Sequence, residues 1–164
     1  MPILSPHSFE LISRSAEQTR RVGMRLGSFI QTGDMVGLVG DLGSGKTTFV
    51  QGIASGWGSP DPVSSPTFVL VNVYRHPNGG HLYHLDAYRL SGADEAIDLD
   101  LEAMTAQGPL VVEWAERIER ALADEGIWVY LKYIDEDQRD LIFSGKGKRY
   151  EEMVSSLRKQ LYGG

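Results

Sequence analysis

The chain has 164 residues and a formal net charge of −6, with the 23% of charged residues that is ordinary for a globular protein. This acidic balance argues against a stand-alone nucleic-acid binder, because such proteins use an excess of Lys and Arg to neutralise phosphates. The absence of Cys excludes disulfides and Cys-ligated zinc, and no apolar run approaches the roughly 18 residues of a membrane span. With no signal-peptide pattern at its start, we expect a single cytoplasmic domain over residues 1–164 that does not contact a membrane.

The first half of the chain alternates between strand and helix patterns. In chain order the expected elements are a strand at residues 7–12, a helix capped by Ser13 or Ser15 and reaching Ile30, a strand at Met35–Val39, a helix at Lys46–Trp57, and strands at residues 68–74 and 81–88. The last two strands are separated by the turn sequence HPNGG, and this arrangement predicts a hairpin.

The second half continues the alternation. The expected elements are a helix at residues 94–104, a buried strand at Leu110–Glu113, strands at residues 127–134 and 139–143, and a final helix at residues 150–161. Helices interleaved with apolar strands predict an α/β sandwich, in which helices flank a central mixed β-sheet.

One motif points to a specific chemistry. The segment GDLGSGKT, from Gly40 to Thr47, fits G-x-x-x-x-G-K-[ST] and lies between an apolar strand and a helix. Its glycines permit backbone conformations that aim successive N–H groups at phosphate oxygens, and the following helix adds the positive end of its dipole. Lys46 is placed to reach the β- and γ-phosphates, and the Thr47 hydroxyl to bind Mg²⁺. We therefore predict a P-loop NTPase-type fold that binds ATP and Mg²⁺.

A P-loop enzyme also needs a carboxylate near the metal, usually at the end of a buried strand. Glu113 ends the apolar run LVVE, and Asp86 ends the alternating strand YHLD. Either residue could instead be a surface acid at a strand end. Between the loop and these residues, Thr67 lies in the segment SSPTF, which is either a sensor of the γ-phosphate or an ordinary turn.

Four segments in this order resemble one protein family. They are GDLGSGKTTF, SPTF, HLDAYRL and VEW, which begin at Gly40, Ser65, His84 and Val112. Together they resemble TsaE (formerly YjeE), a family of bacterial ATPases required for threonylcarbamoyladenosine modification of tRNA. The resemblance extends over nearly the whole chain. One departure is Asp100, which stands where the family usually has Gly and leaves the turn geometry there open.

The resemblance implies a slow Mg²⁺-dependent ATPase. It would act with a TsaD-like transferase and a TsaB-like subunit, which place a threonylcarbamoyl group on the adenosine beside the anticodon. The protein would then contact tRNA only indirectly, through this complex. By position, the triphosphate would be cradled by Gly43, Ser44, Gly45, Lys46, Thr47 and Thr48. Thr47 and Glu113 would hold Mg²⁺, and Asp86 would activate water or support the metal. Glu116 and Arg139 fall where the family makes further nucleotide contacts.

Two other functions remain open. A small-molecule P-loop kinase usually carries an Arg-rich lid after the loop, where this sequence predicts a hairpin. A non-catalytic ATP-binding switch would not need two carboxylates. The sequence has no N-K-x-D motif for guanine, which argues against a GTPase.

Some residues are given structural interpretations. His84 is expected to be a hydrogen-bonded structural histidine, and Trp114 could contact a partner. The cluster of Lys146, Lys148 and Arg149 is expected to be a solvated helix start rather than an RNA contact.

Overall fold

The computed structural model describes residues 7–64 and 71–162, which form strands and helices in alternation. The strands are β1 (Ser8–Ser13), β2 (Met35–Val39), β3 (Val71–Arg75), β4 (His81–Asp86), β5 (Leu110–Glu113), β6 (Gly126–Tyr133) and β7 (Arg139–Lys146). The α-helices are α1 (Ala16–Gly27), α2 (Lys46–Trp57), α3 (Ala93–Ile97), α4 (Leu101–Thr105) and α5 (Lys148–Tyr162), and a 3-10 helix spans Ala115–Ala121. In these ranges no helix combines the length and apolar character that crossing a membrane requires.

The strands of the described residues form one mixed sheet in the order β1-β7-β6-β2-β5-β4-β3. Its centre is parallel, because β2 pairs with both β5 and β6, and β5 pairs with β4. Antiparallel pairs close both edges, and one of them is the predicted hairpin of β3 and β4. The expected α/β sandwich with a central mixed sheet is confirmed.

Apolar side chains fill a layer on each face of the sheet. On one face α1, α2 and α5 cover the sheet through residues such as Leu26, Phe49 and Leu157. On the other face α3, α4 and the 3-10 helix contribute Ala96, Leu101 and Ile118. Strand β5 serves both layers, since Val111 lies in the first and Val112 in the second. A central strand buried on both faces accounts for its uninterrupted apolar sequence.

Glycines bring α1 and α2 into backbone contact. A Cβ on Gly52 would lie 2.0 Å from the carbonyl oxygen of Arg20, and one on Gly27 would lie 2.2 Å from that of Ile53. Gly23 and Gly56 are equally close to the opposite helix. Only residues without a side chain fit here, so this contact fixes the position of α2 and of the loop that precedes it.

The predicted helix over residues 94–104 is wrong as a single element. The chain breaks between α3 and α4 at Asp100, whose φ of +54° lies in the left-handed region. The Asp100 side chain accepts a hydrogen bond from the amide of Ala103 at 3.2 Å, and this local bond makes the conformation tolerable without glycine. At the start of α1, Ser15 rather than Ser13 is the cap, because its side chain accepts a hydrogen bond from the amide of Gln18. The helix ends at Gly27 rather than at the predicted Ile30.

A buried carboxylate anchors the start of α5. Asp34 accepts two hydrogen bonds from the Arg149 guanidinium, at 2.9 and 2.6 Å, and one from the Tyr150 hydroxyl at 2.9 Å. Burial, reinforced by Asp34, raises the pKa of Tyr150 to about 12. Lys146 lies over the ring of Trp128 and pairs with Glu119. Arg149 is exposed in the first turn of α5, as expected of a solvated helix start, and it is in addition bound to the buried Asp34.

The α1–α2 contact predicts that Gly52→Ala destabilises the protein, although Gly→Ala usually stabilises a helix. In an open helix Gly→Ala is stabilising by up to about 1 kcal/mol, whereas overpacking costs about 1–3 kcal/mol. We expect Gly52→Ala to lower the free energy of unfolding in urea, because its Cβ would meet backbone rather than a movable side chain. Ser55→Ala, at an exposed site of the same helix, should change stability by less than about 0.5 kcal/mol. A stabilised Gly52→Ala protein would contradict the close contact.

Asp140 in β7 makes stability depend on pH. Burial first, and then the hydrogen bond and charge of Glu10, raise its pKa from 3.8 to about 6. A raised carboxyl pKa favours the folded state at low pH, and this contribution is lost as the pH rises through about 6. We expect the melting temperature of Asp140→Asn, relative to that of wild type, to increase as the pH rises from about 4 to about 7. Asp124→Asn at an exposed position is the control, and an equal gain there would argue against the buried carboxyl.

Candidate functional site

Strand register assembles the candidate site at one edge of the sheet. Asp86 at the end of β4 pairs with Glu113 at the end of β5, and Glu113 pairs in turn with Leu38 of β2. The loop that follows β2 therefore begins beside both carboxylates, at the carboxyl ends of parallel strands where α/β proteins bind ligands. The result is a cleft of about 320 Å³ lined by Leu42, Gly43, Ser44, Gly45, Lys46, Thr47, Thr48, Asp86, Glu113, Trp114 and Arg139.

The loop from Gly40 to Thr47 has the backbone that a phosphate cradle requires. Gly43 and Gly45 have φ values of +80° and +96°, a left-handed conformation that residues with a Cβ rarely adopt. Between them, the amide of Ser44 donates to the carbonyl of Asp41 at 3.1 Å. Helix α2 begins directly after Gly45, so the positive end of its dipole lies at the cleft.

Lys46 is the buried cation of the site. Its side chain is only 6% exposed, and its ammonium donates to the carbonyls of Gly40 and Asp41, the latter at 3.0 Å. The ammonium also lies 4.2 Å from the centre of the Trp114 ring. Burial lowers the pKa of Lys46, while nearby carboxylates, Glu113 first among them, act in the opposite direction. These contacts place a positive charge where the motif predicts the β- and γ-phosphates.

The two carboxylates of the cleft differ in their surroundings. Glu113 is 3% exposed and accepts a hydrogen bond from Nε2 of the fully buried His84 at 2.5 Å. Asp86 is half-buried and accepts from the amide of Tyr88 at 2.9 Å. Burial raises the pKa of Asp86, and the charge of Glu113 adds to that rise. His84 is hydrogen-bonded, as expected, but its partner Glu113 was not predicted.

Arg139 has an unpaired donor beside the loop. Its Nη1 donates to the carbonyls of Asp135 and Gln138 at 2.5 and 2.8 Å, whereas its Nε is buried without a partner among the described residues. A Cβ on Gly45 would lie 3.6 Å from this Nε. Because buried donors are normally paired, the atom fits an anionic group held by the loop. This observation and the glycine cradle agree with the predicted triphosphate.

Glu116 is not among the residues that line this cleft, and Thr67 has no described position. Glu116 lines a neighbouring groove of about 610 Å³ with Asp41 and Tyr130, although it lies near enough to Lys46 to influence the ammonium. Burial raises the pKa of Glu116. Thr67 lies outside the described residues, together with the rest of the segment SPTF. Their predicted roles stay predictions.

The metal prediction rests on few ligands. No group of three His, Cys, Asp or Glu in residues 7–64 and 71–162 is arranged to hold a metal ion. Thr47 and Glu113, which carry a hydroxyl and a carboxylate, both line the cleft. Mg²⁺ is commonly bound by one or two carboxylates together with phosphates and water, so the residues present fit this ion in company with a nucleotide.

The placement of Trp114 against Lys46 was not predicted. Its φ of +57° is left-handed, and its ring contacts both the Lys46 ammonium and, at 5.0 Å between centres, the Tyr88 ring. A strained backbone at a non-glycine residue is frequent at functional sites. The position of Trp114 directly after Glu113 was the available signal, and it suggested a partner contact rather than packing against the lysine.

The fold and this cleft define a P-loop α/β protein. The family model described as Threonylcarbamoyl adenosine biosynthesis protein TsaE matches residues 13–141. The chain belongs to the TsaE family.

Individual relatives agree with that assignment. The tRNA threonylcarbamoyladenosine biosynthesis protein TsaE of Bacillus subtilis is 39% identical over 145 residues, covering 87% of this chain and 89% of that protein. The protein of the same name from Streptomyces coelicolor is 38% identical over 148 residues, covering 80% of this chain and 93% of the relative. The crystal structure of Bacillus subtilis YdiB superposes with a TM-score of 0.75 at 32% identity, covering 93% of this chain and 95% of that chain.

Removing the Lys46 ammonium should abolish tight ATP binding. A hydrogen bond to a charged group contributes about 1.5–3 kcal/mol, so we expect Lys46→Ala to weaken ATP binding by about 10- to 100-fold in calorimetry. Lys159→Ala is the matched control, because Lys159 is exposed in α5 and lines neither the cleft nor the neighbouring groove. ATP affinity of the folded Lys46→Ala protein equal to that of the control would contradict the assignment.

Proposed function

We propose that this protein is a Mg²⁺-dependent ATPase that acts with a TsaD-like transferase and a TsaB-like subunit in threonylcarbamoyladenosine modification of tRNA. The observation that carries the proposal is the meeting of a P-loop, its buried lysine and two in-register carboxylates in one cleft. A cleft built in this way suits phosphoryl chemistry, in which a protein mainly positions groups and stabilises charge.

The loop and five side chains of the cleft have roles in the proposed hydrolysis. Loop N–H groups and the Lys46 ammonium hold the phosphate oxygens and stabilise their charge. Thr47 and Glu113 would hold Mg²⁺, which supplies neutralisation of the β- and γ-phosphates. Asp86, with its raised pKa and half-buried carboxyl, is the group proposed to orient the attacking water and accept its proton. The Trp114 ring covers the lysine and limits water around its charge.

The partner proposal rests on family membership and charge. Relatives of this chain are named for tRNA threonylcarbamoyladenosine biosynthesis. A net charge of −6 makes direct tRNA binding unfavourable, so tRNA is proposed to enter through the transferase pair, in the cytoplasm. Thr67 is proposed to couple the γ-phosphate to these partners.

ATP turnover measured with and without the purified transferase pair tests this proposal. We expect slow release of ADP and inorganic phosphate from the protein alone and faster release with the pair. Glu113→Gln keeps the shape of the side chain but removes its charge. It should slow Mg²⁺-dependent turnover at least about tenfold, as expected for a ligand of a catalytic metal, while Mg²⁺-free ATP still binds.

The same assay separates the alternatives. Glu119→Gln, at an exposed position, should leave turnover within about threefold of wild type. Transfer of the γ-phosphate to an added nucleoside or small alcohol would instead identify a kinase. Tight ATP binding without turnover, whether or not the pair is present, would identify a non-catalytic switch.

A further inference from the structure

A buried chain of hydrogen bonds leads away from Glu113, beneath the cleft. His84 Nε2 lies 2.5 Å from Oε2 of Glu113, and His84 Nδ1 lies 2.8 Å from the hydroxyl of Tyr74. The same hydroxyl lies 3.2 Å from the carbonyl oxygen of Ser64. His84 is 0% exposed and Tyr74 is 4% exposed, so the two hydrogen bonds of the His84 ring are shielded from bulk water, whereas Ser64 at the end of the chain is exposed.

Strand pairing explains why these residues meet. His84 is opposite Val111 in β5, two positions before the pair of Asp86 and Glu113, so its ring lies on the same face of the sheet as the two carboxylates. Tyr74 belongs to β3, which pairs with β4 on its other side. The imidazole is thus held between two neighbouring strands, and its two nitrogens have partners on opposite sides.

The donor and acceptor roles follow from the chemistry of each group. An ionised carboxylate only accepts, so the Nε2–H of His84 donates to Glu113. A ring that carries its proton on Nε2 accepts at Nδ1. The single proton of the Tyr74 hydroxyl is then directed to Nδ1, at 2.8 Å, rather than to the more distant Ser64 carbonyl, at 3.2 Å. The ring is therefore bound at both ends and cannot rotate without breaking a buried hydrogen bond, which is costly.

We propose that His84 is a positioning residue for Glu113, and that Tyr74 holds the His84 ring in the orientation this requires. The inference rests on the proposed function, since it concerns the carboxylate assigned there to Mg²⁺. A glutamate has three rotatable side-chain bonds, and a fixed donor on one of its oxygens selects a single orientation from them. Groups that hydrogen-bond to metal ligands commonly tune metal affinity in this way.

A purely structural role is the competing explanation. In that case His84 only satisfies a buried carboxylate, and its replacement lowers stability without changing how nucleotide binding responds to Mg²⁺. The two nitrogens allow a sharp test. His84→Gln places an amide N–H near the position of Nε2 and keeps a donor for Glu113. His84→Asn has a shorter side chain, whose amide reaches only the level of Nδ1 and leaves Glu113 without its donor.

The experiment measures ATP affinity by calorimetry across a Mg²⁺ titration, with a thermal melt of each nucleotide-free variant. We expect His84→Asn to raise the Mg²⁺ concentration for half-maximal effect by about 10- to 100-fold, with Mg²⁺-free ATP affinity unchanged. His84→Gln should stay within about threefold of wild type, because its donor is retained. His81→Asn, the same substitution in the same strand but outside the hydrogen-bond chain, should not differ from wild type.

Tyr74→Phe keeps the test decisive if His84→Asn does not fold. It removes one hydroxyl and leaves the pair of His84 and Glu113 in place, so it should raise the required Mg²⁺ concentration by a smaller factor, about threefold or more. Unchanged Mg²⁺ dependence in every folded variant, with a lowered melting temperature, would overturn the positioning role. If the proposed function itself is wrong, the result is distinguishable, because ATP binding by the wild-type protein would then not depend on Mg²⁺.

Discussion

The parallel pairing of β4, β5 and β2 is the constraint on which the site depends. Their register brings Asp86, Glu113 and the start of the phosphate loop to one edge of the sheet, although these groups are far apart in the sequence. Because side chains alternate along a strand, a slip of one residue would turn both carboxylates to the opposite face. The apolar layers on both faces of β5 oppose such a slip, so the core that stabilises the fold also maintains the geometry of the cleft.

Buried charge is the main cost of this arrangement. Lys46 and Glu113 are 6% and 3% exposed, and removing either charge from water without partners would be strongly unfavourable. Each has dedicated partners in the described structure: loop carbonyls and the Trp114 ring for the lysine, and the His84 ring for the glutamate. The two buried charges are thus satisfied by the protein itself, and this rigidity suits the positioning that phosphoryl chemistry requires.

Local patterns in the sequence predicted most strands, the long helices and the phosphate loop, because hydrophobic periodicity and glycine spacing are read from neighbouring residues. Contacts between distant segments were not accessible in this way. The salt bridge of Arg149 with Asp34 spans 115 positions, and the partner of His84 lies on another strand. The break at Asp100 escaped prediction because it depends on a left-handed backbone that an aspartate adopts only with its own local hydrogen bond.

The contacts of Lys46 also explain how a phosphate could bind to so buried a cation. The ammonium donates to the carbonyls of Gly40 and Asp41, so its burial leaves no charged donor unsatisfied. A phosphate oxygen that takes the place of a carbonyl exchanges a neutral acceptor for a charged one, and hydrogen bonds between charged groups are roughly twice as strong. Binding therefore gains from the exchange itself rather than from the relief of an unpaired charge. The loop glycines permit this exchange, because their backbone can approach the ligand without a Cβ in the way.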